Sequence, residues 1–285
     1  MRKKVSILLW VLAFVLTVAV VFYQRMTGPT YPIRSSETFA GTEVSFRLLR
    51  SHTSFESLPV KVRAAGAEIN GFVKYKRYKS DDEWTEIEMK REGDILIAEL
   101  PGQPSAGKID YSVRLTHGGQ QLILNKGKTI VARFKNEVPV VFLLTHILFM
   151  ILSFLFAIRT GLEALRKNGN YMKLVNWTLG IVFVGGMILG PVVQKYAFGD
   201  FWTGIPFGTD LTDNKTLFAF IFWIAAFFLK KKSRWWVIAA TVMMILVYLI
   251  PHSTLGSELD YSSGQMTNKF SLISPIPDSP VSSKI

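Results

Sequence analysis

The sequence predicts a membrane α-helical bundle of five transmembrane helices carrying an inserted extracytoplasmic all-β sandwich. Three observations support this. Five apolar runs, at roughly 5–23, 138–158, 174–193, 212–229 and 235–250, each come close to the length that a ~30 Å hydrocarbon core requires at ~1.5 Å per helical residue. Basic residues collect on alternate sides of those runs. Between the first two runs, the pattern changes from apolar blocks to a period-two alternation. The implied organisation is a transmembrane anchor over 1–26, a linker over 27–41, the β domain over 42–135, a four-helix transmembrane region over 136–250 and a tail over 251–285.

The first run follows Arg2, Lys3 and Lys4, an order shared with cleaved signal peptides. Its ~19 apolar residues exceed a usual signal core, and no small-x-small site follows Tyr23, so an uncleaved anchor is expected. Residues 27–36, with Gly28, Pro29 and Pro32, read as the exit from the membrane. The β pattern is clearest where Ile109, Tyr111, Val113 and Leu115 alternate with polar residues. Val44, Phe46 and Leu48 repeat it, as do Val60 and Val62, Val73 and Tyr75, and Ile130, Ala132 and Phe134. Turn clusters such as Glu92-Gly93-Asp94 and His117-Gly118-Gly119 divide the segment into seven or eight short strands, the spacing of an antiparallel sandwich.

The net charge of +12 would suggest nucleic acid if it lay on one soluble face. Instead, eleven basic residues sit in three short segments with one acid, Glu163: Arg2, Lys3 and Lys4; Arg159, Arg166, Lys167 and Lys173; Lys230, Lys231, Lys232 and Arg234. The positive-inside rule makes these segments cytoplasmic and places the β domain, the 194–215 loop and the tail outside. Lipid, including anionic headgroups, is therefore the implied partner, and nucleic acid is not. The absence of cysteine excludes disulfide frameworks, thiolate nucleophiles, Cys-ligated zinc and iron–sulfur clusters.

Within the β segment, Phe72-Val-Lys-Tyr-Lys-Arg-Tyr78, Asp82-Glu-Trp84-Thr-Glu-Ile87 and Leu100-Pro-Gly, followed by Tyr111-Ser-Val-Arg-Leu115, resemble a fibronectin type III domain. The resemblance covers residues 42–135 and implies an Ig-like sandwich of the adhesive or spacing kind, without catalytic residues. It also implies that Tyr111 is a corner tyrosine tying the 102–107 loop to its strand. The spans resemble no family with a known function.

Candidate sites are few. Gly102-Gln-Pro-Ser-Ala-Gly107-Lys108 follows a phosphate-binding loop for seven positions. However, Ile109 replaces the required Ser or Thr and a strand follows instead of a helix, so the match is spurious. Gly186 and Gly190, four apart in the third run, allow close helix packing. The expected partner is the second or fourth span, with homo-oligomerisation as the alternative. His146 lies about 12 Å into the second span. It is expected either to bond a Ser, a Thr or the backbone of a neighbouring helix, with Thr145 or Asn176 as candidate partners, or to serve as a ligand or relay.

The aromatic loop from Phe198 and the tail from Pro251 to Tyr261 leave the membrane on the same face. That brings His252, Glu258, Asp260, Asp210 and Asp213 into range as candidate metal ligands. The competing reading has Asp210 and Asp213 capping a helix and Glu258 and Asp260 paired with Lys215, Lys195 or loop amides. The tail is expected to be ordered to about Tyr261 and the 274–285 run disordered. Asn176-Trp-Thr and Asn214-Lys-Thr are glycosylation sequons in form only, and no catalytic fingerprint appears.

The function implied is a non-enzymatic binding or assembly subunit of an envelope complex in a bacterial cytoplasmic membrane, with the β domain periplasmic and no cofactor. The alternative is a transporter, or a membrane enzyme dependent on a divalent metal or haem, using His146 and the outer cluster.

Overall fold

The computed structural model describes residues 2–65, 68–251 and 256–266. His252 and the 274–285 run lie outside them. Helix α1, Arg2–Thr27, leads into eleven strands: β1 Ile33–Phe39, β2 Thr42–Leu48, β3 Ser51–Thr53, β4 Leu58–Ala64, β5 Asn70–Arg77, β6 Thr85–Glu88, β7 Lys90–Glu92, β8 Ile95–Leu100, β9 Lys108–His117, β10 Gln120–Ile123 and β11 Ile130–Lys135. Helices α2 Val140–Leu165, α3 Met172–Val182, α4 Gly190–Phe198, α5 Leu211–Leu229 and α6 Trp235–Leu249 follow. A π-helical stretch, Phe183–Leu189, joins α3 and α4 into one continuous rod.

The strands form two sheets, β1-β2-β4-β8-β7 and β3-β11-β9-β5-β6, with β10 added against β9. All pairings are antiparallel except β11 with β3. The period-two alternation accounts for the packing. Ile109, Tyr111, Val113 and Leu115 of β9 face inward and are buried, as are Leu58, Val60, Val62 and Ala64 of β4 from the other sheet. These residues belong to one hydrophobic core shared by both sheets. Each fully buried aliphatic side chain contributes roughly 1.5–3 kcal/mol.

Two sequence expectations change. Strand β1 lies within the expected linker, so the β domain begins near residue 33. Six of its seven residues are exposed or half-buried, and a polar edge strand of this kind carries no alternation signal. Tyr111 is fully buried, but its hydroxyl donates to the Leu49 carbonyl at 2.7 Å, between β2 and β3, and does not reach the 102–107 loop.

Four helices are long and apolar enough to cross a membrane: α1, α2, the α3–α4 rod (Met172–Phe198) and α5. Helix α6 has 15 residues, about 22 Å by helix rise. Helix α2 touches α1, α3, α4 and α6. At its crossing with α6, Gly161 lies so close to Thr241 that a Cβ would come within 2.5 Å of the threonine methyl. Buried hydroxyls at two places between the helices are satisfied locally: Thr160 and Thr178 bond each other across α2 and α3, and Tyr248 donates to the Met150 carbonyl at 2.6 Å.

Candidate functional site

The chain returns to the β domain after its last helix. Asp210 caps α5, its Oδ1 accepting from the Thr212 and Asp213 amides at 2.7 and 3.4 Å. Its Oδ2 accepts from the Ser257 amide and hydroxyl at 2.6 and 2.8 Å. One carboxylate thus both starts a helix and anchors the returning tail. Asp213 accepts from the Thr203 amide at 2.6 Å, the Thr203 hydroxyl at 3.2 Å and the Gln194 amide at 3.1 Å, fixing the loop over the end of α4. The capping expectation describes Asp210; Asp213 lies in the first turn of α5 but binds the loop at Thr203 and Gln194 of α4 instead of a helix amide.

Beyond Ser257 the tail runs along the β domain. The Leu259 amide donates to the Ala106 carbonyl at 3.1 Å. Glu258 meets Lys108 at 2.5 Å and Lys79 at 2.9 Å. Burial alone would raise the Glu258 pKa, but hydrogen bonds from the two lysines outweigh it and hold the carboxyl below its ordinary value. Burial pushes Lys108 down despite the attraction of Glu258. The Tyr261 hydroxyl accepts from the Lys108 amide at 2.9 Å, and the Lys108 carbonyl (2.9 Å) and Gln103 Oε1 (3.1 Å) both lie within its donating reach. It is therefore Tyr261, 158 residues from Gln103 in sequence, that ties the 102–107 loop. Asp260 is exposed and serves its own turn. Hydrogen bonds from Ser262 and Ser263 hold it down at about 2.

The expected partners for the tail acids are engaged elsewhere. Lys215 donates to the Ile250 carbonyl at 2.9 Å and Lys195 to the Gly199 carbonyl at 2.6 Å. The four described candidate ligands do not converge: Asp210 and Asp213 share one site, while Glu258 and Asp260 lie along the β domain, and His252 lies outside the described residues. Among the described residues, no group of three or more His, Asp or Glu is placed to hold a metal ion.

Where the tail, the loop and the helices meet, a cavity of about 280 Å³ opens. Its polar lining includes Arg133, His146, Gln194, Asp210, Asp213 and Lys215. Arg133 projects from β11, donates through Nη2 to the Ser257 carbonyl at 2.5 Å and packs 4.3 Å over the Phe198 ring. Burial lowers its pKa to about 10, against the pull of Asp210 and Glu258. His146 Nδ1 lies 3.0 Å from the Gly185 carbonyl. A carbonyl can only accept, so Nδ1 carries the proton. The partner is thus neither Thr145 nor Asn176. The Gly190 amide also reaches the Gly185 carbonyl, across the π-helical turn.

Gly186 and Gly190 of the third span differ in their room for a side chain. A Cβ on Gly186 would come within 2.8 Å of the Thr216 methyl of α5, so this glycine packs inside the chain. Gly190 has nothing closer than 3.7 Å, and both glycines line the cavity.

Sequence reasoning missed Arg133, Lys79, Lys108, Gln103, Thr203 and Ser257. In β11 the alternation assigns Arg133 to the solvent face, beside Val131 and Lys135. It is buried only because Ser257 and Phe198, far away in sequence, cover it.

No family model matches the chain, and no characterised protein matches it by sequence. A solved structure of Astrotactin-2, described as a conserved vertebrate-specific and perforin-like membrane protein involved in neuronal development, aligns with 79% of this chain and 37% of its own. The identity is 6% and the TM-score 0.21, so this likeness carries no argument.

Proposed function

We propose that the chain is a five-span protein of a bacterial cytoplasmic membrane that presents a fibronectin type III-like sandwich outside, as a non-enzymatic binding or assembly subunit of an envelope complex. The observation that supports this reading most is the returning tail. Asp210, Ser257, Glu258 and Tyr261 tie the β domain to the ends of the helices. A tethered domain needs no such tie, whereas a domain that offers a surface in a fixed pose to a partner does. The 15 residues of α6 fall short of ~30 Å, and Trp235 and Trp236 at its start suit the interfacial zone, where a short span is accommodated by local thinning.

The surface best suited to a partner is the outer face of the first sheet, where Arg34, Arg47, Lys61 and Arg63 are exposed and Arg34 stands directly opposite Arg47. None of the four is ion-paired among the described residues. Like charges set opposite one another are unfavourable in the free protein and suit an acidic partner.

The experiment has two arms. Reporter fusions after Gly127 and within the 194–215 loop should read outside, and fusions after Asn168 and Lys232 inside. Capture from crosslinked membranes should recover proteins that are lost when Arg34, Arg47, Lys61 and Arg63 are replaced together by glutamate. A cytoplasmic β domain would refute the topology, and capture unaffected by the replacement would refute the face. The cavity at His146 favours a second reading, a metal or haem protein or a transporter. Metal and haem analysis of the purified protein tests it.

A further inference from the structure

The junction cavity has a chemical asymmetry that holding a domain in place does not require. Its carboxylates are well supplied with donors from the protein side, Asp210 with four across both oxygens and Asp213 with three, all on Oδ2. Its cations have donors to spare. Arg133 is only 7% exposed, yet among the described residues its guanidinium donates through Nη2 alone, to the Ser257 carbonyl, leaving Nη1 without a partner. Lys215, also 7% exposed, donates one of its three ammonium protons to the Ile250 carbonyl. Leaving a guanidinium N–H buried and unpaired is costly, and native structures rarely do so without a reason. The donors left over therefore call for an acceptor from outside the chain.

The rest of the lining gives the character of that acceptor's other end. Val21 of α1, Ile147 and Ile151 of α2, Val193 of α4 and Val247 of α6 form apolar walls. Ile147 is 42% exposed, so the wall continues onto the outer surface of α2, the face that lipid covers. At about 280 Å³, the cavity is near the small end of the ~300–1,000 Å³ range of ligand sites, enough for a headgroup and the first carbons of a chain.

We propose that this cavity binds an anionic amphiphile, a membrane lipid whose phosphate head accepts from Arg133 and Lys215 while its acyl chain leaves past Ile147 into the bilayer. A free phosphate offers the same head chemistry without the chain, and the two sources are separable by experiment. The site is distinct from the cationic sheet face and does not depend on what that face binds.

The test uses the full chain in detergent, offered phosphatidylglycerol or phosphatidylcholine and read by native mass spectrometry. Phosphatidylglycerol should be retained about tenfold more strongly, the worth of one charge-assisted contact. Lys215→Gln should lower that retention by a similar factor. Arg133→Gln should do the same but also cuts the bond to Ser257, so a variant away from the tail is needed. Gly190→Leu serves, because its Cβ has room and its side chain fills the cavity from the α4 side. It should abolish retention while the tail stays as protease-resistant as in the unmodified protein. Millimolar inorganic phosphate should not displace the lipid. Equal retention of the two lipids would overturn the proposal. So would full retention in Gly190→Leu, or displacement by phosphate alone, which would make this a simple anion site. The comparison of lipids on the unmodified protein decides the matter even if a variant fails to fold.

Discussion

Replacing Tyr261 by Phe removes one oxygen and leaves the ring on Arg77, whose guanidinium carbon sits 4.9 Å from the ring centroid. The lost hydroxyl accepts from the Lys108 amide and donates to one of two acceptors, the Lys108 carbonyl or Gln103 Oε1. Burial raises its pKa to about 12, so it carries its proton throughout the working range and can do both. Two neutral hydrogen bonds are worth about 1–3 kcal/mol net, and the Lys108 amide, facing a phenyl ring, keeps part of its desolvation cost. The packing contributed by the ring and the Glu258 contacts remain, so the tail should loosen without unfolding the domain. Opening free energies translate into exchange rates at tenfold per ~1.4 kcal/mol. Hydrogen–deuterium exchange at the Lys108 amide should therefore quicken by about 5- to 100-fold, while amides in the middle of β9 stay protected. If Lys108 exchanges within twofold of the unmodified protein, the tail does not seal this end of the β domain and the reasoning fails.

Other predictions follow from the same contacts. Glu258 has a folded-state pKa below its unfolded value, so its contribution is complete above the ordinary glutamate range and is lost as pH falls through the depressed pKa. Tail proteolysis by an acid protease should quicken as pH falls below the ordinary glutamate range, and Glu258→Gln should remove most of that pH dependence; an unchanged profile would refute the pairing. Gly161→Ala should cost about 1–3 kcal/mol in a detergent melt, because the new methyl meets Thr241, whereas Gly180→Ala, with nothing within 4 Å, should be near neutral. Equal melts would contradict the α2–α6 crossing. Tyr111→Phe leaves the Leu49 carbonyl without its buried donor and should lower β-domain stability by about 1–3 kcal/mol, with no effect on tail exchange.

What the sequence disclosed follows from how local each signal is. Helices α1, α2, the α3–α4 rod and α5 announce themselves because long apolar runs have no other reading at this length. The strands with one buried face, β4 and β9 above all, appear through alternation, while β1, exposed on both faces along most of its length, does not. For the site, Asp210 is legible, since an acid at a helix start has a local role. The tail could be expected to need a surface, because Leu259 and Tyr261 have no apolar neighbours in sequence with which to fold. Its actual partners, Lys108 and Arg133 on strands and Lys79 and Gln103 in the connections between them, lie more than a hundred residues upstream. An outward-facing cation on a strand looks solvated until something distant covers it.

The tail returning to the β domain beside the helix ends organises the whole junction. The chain contains no cysteine, so a crosslinking pair can be introduced without background. Lys108→Cys with Glu258→Cys places two thiols where an ion pair now closes the gap, and the Leu259 and Tyr261 contacts remain to hold the tail. His117→Cys with Glu258→Cys is the control, because His117 lies nine residues further along β9, about 30 Å at ~3.3 Å per residue. After treatment of intact membranes with a short bis-maleimide, peptide mass spectrometry should find the first pair joined and the second not. Absence of the first crosslink, or equal yields from both pairs, would contradict the returning tail and the junction built on it.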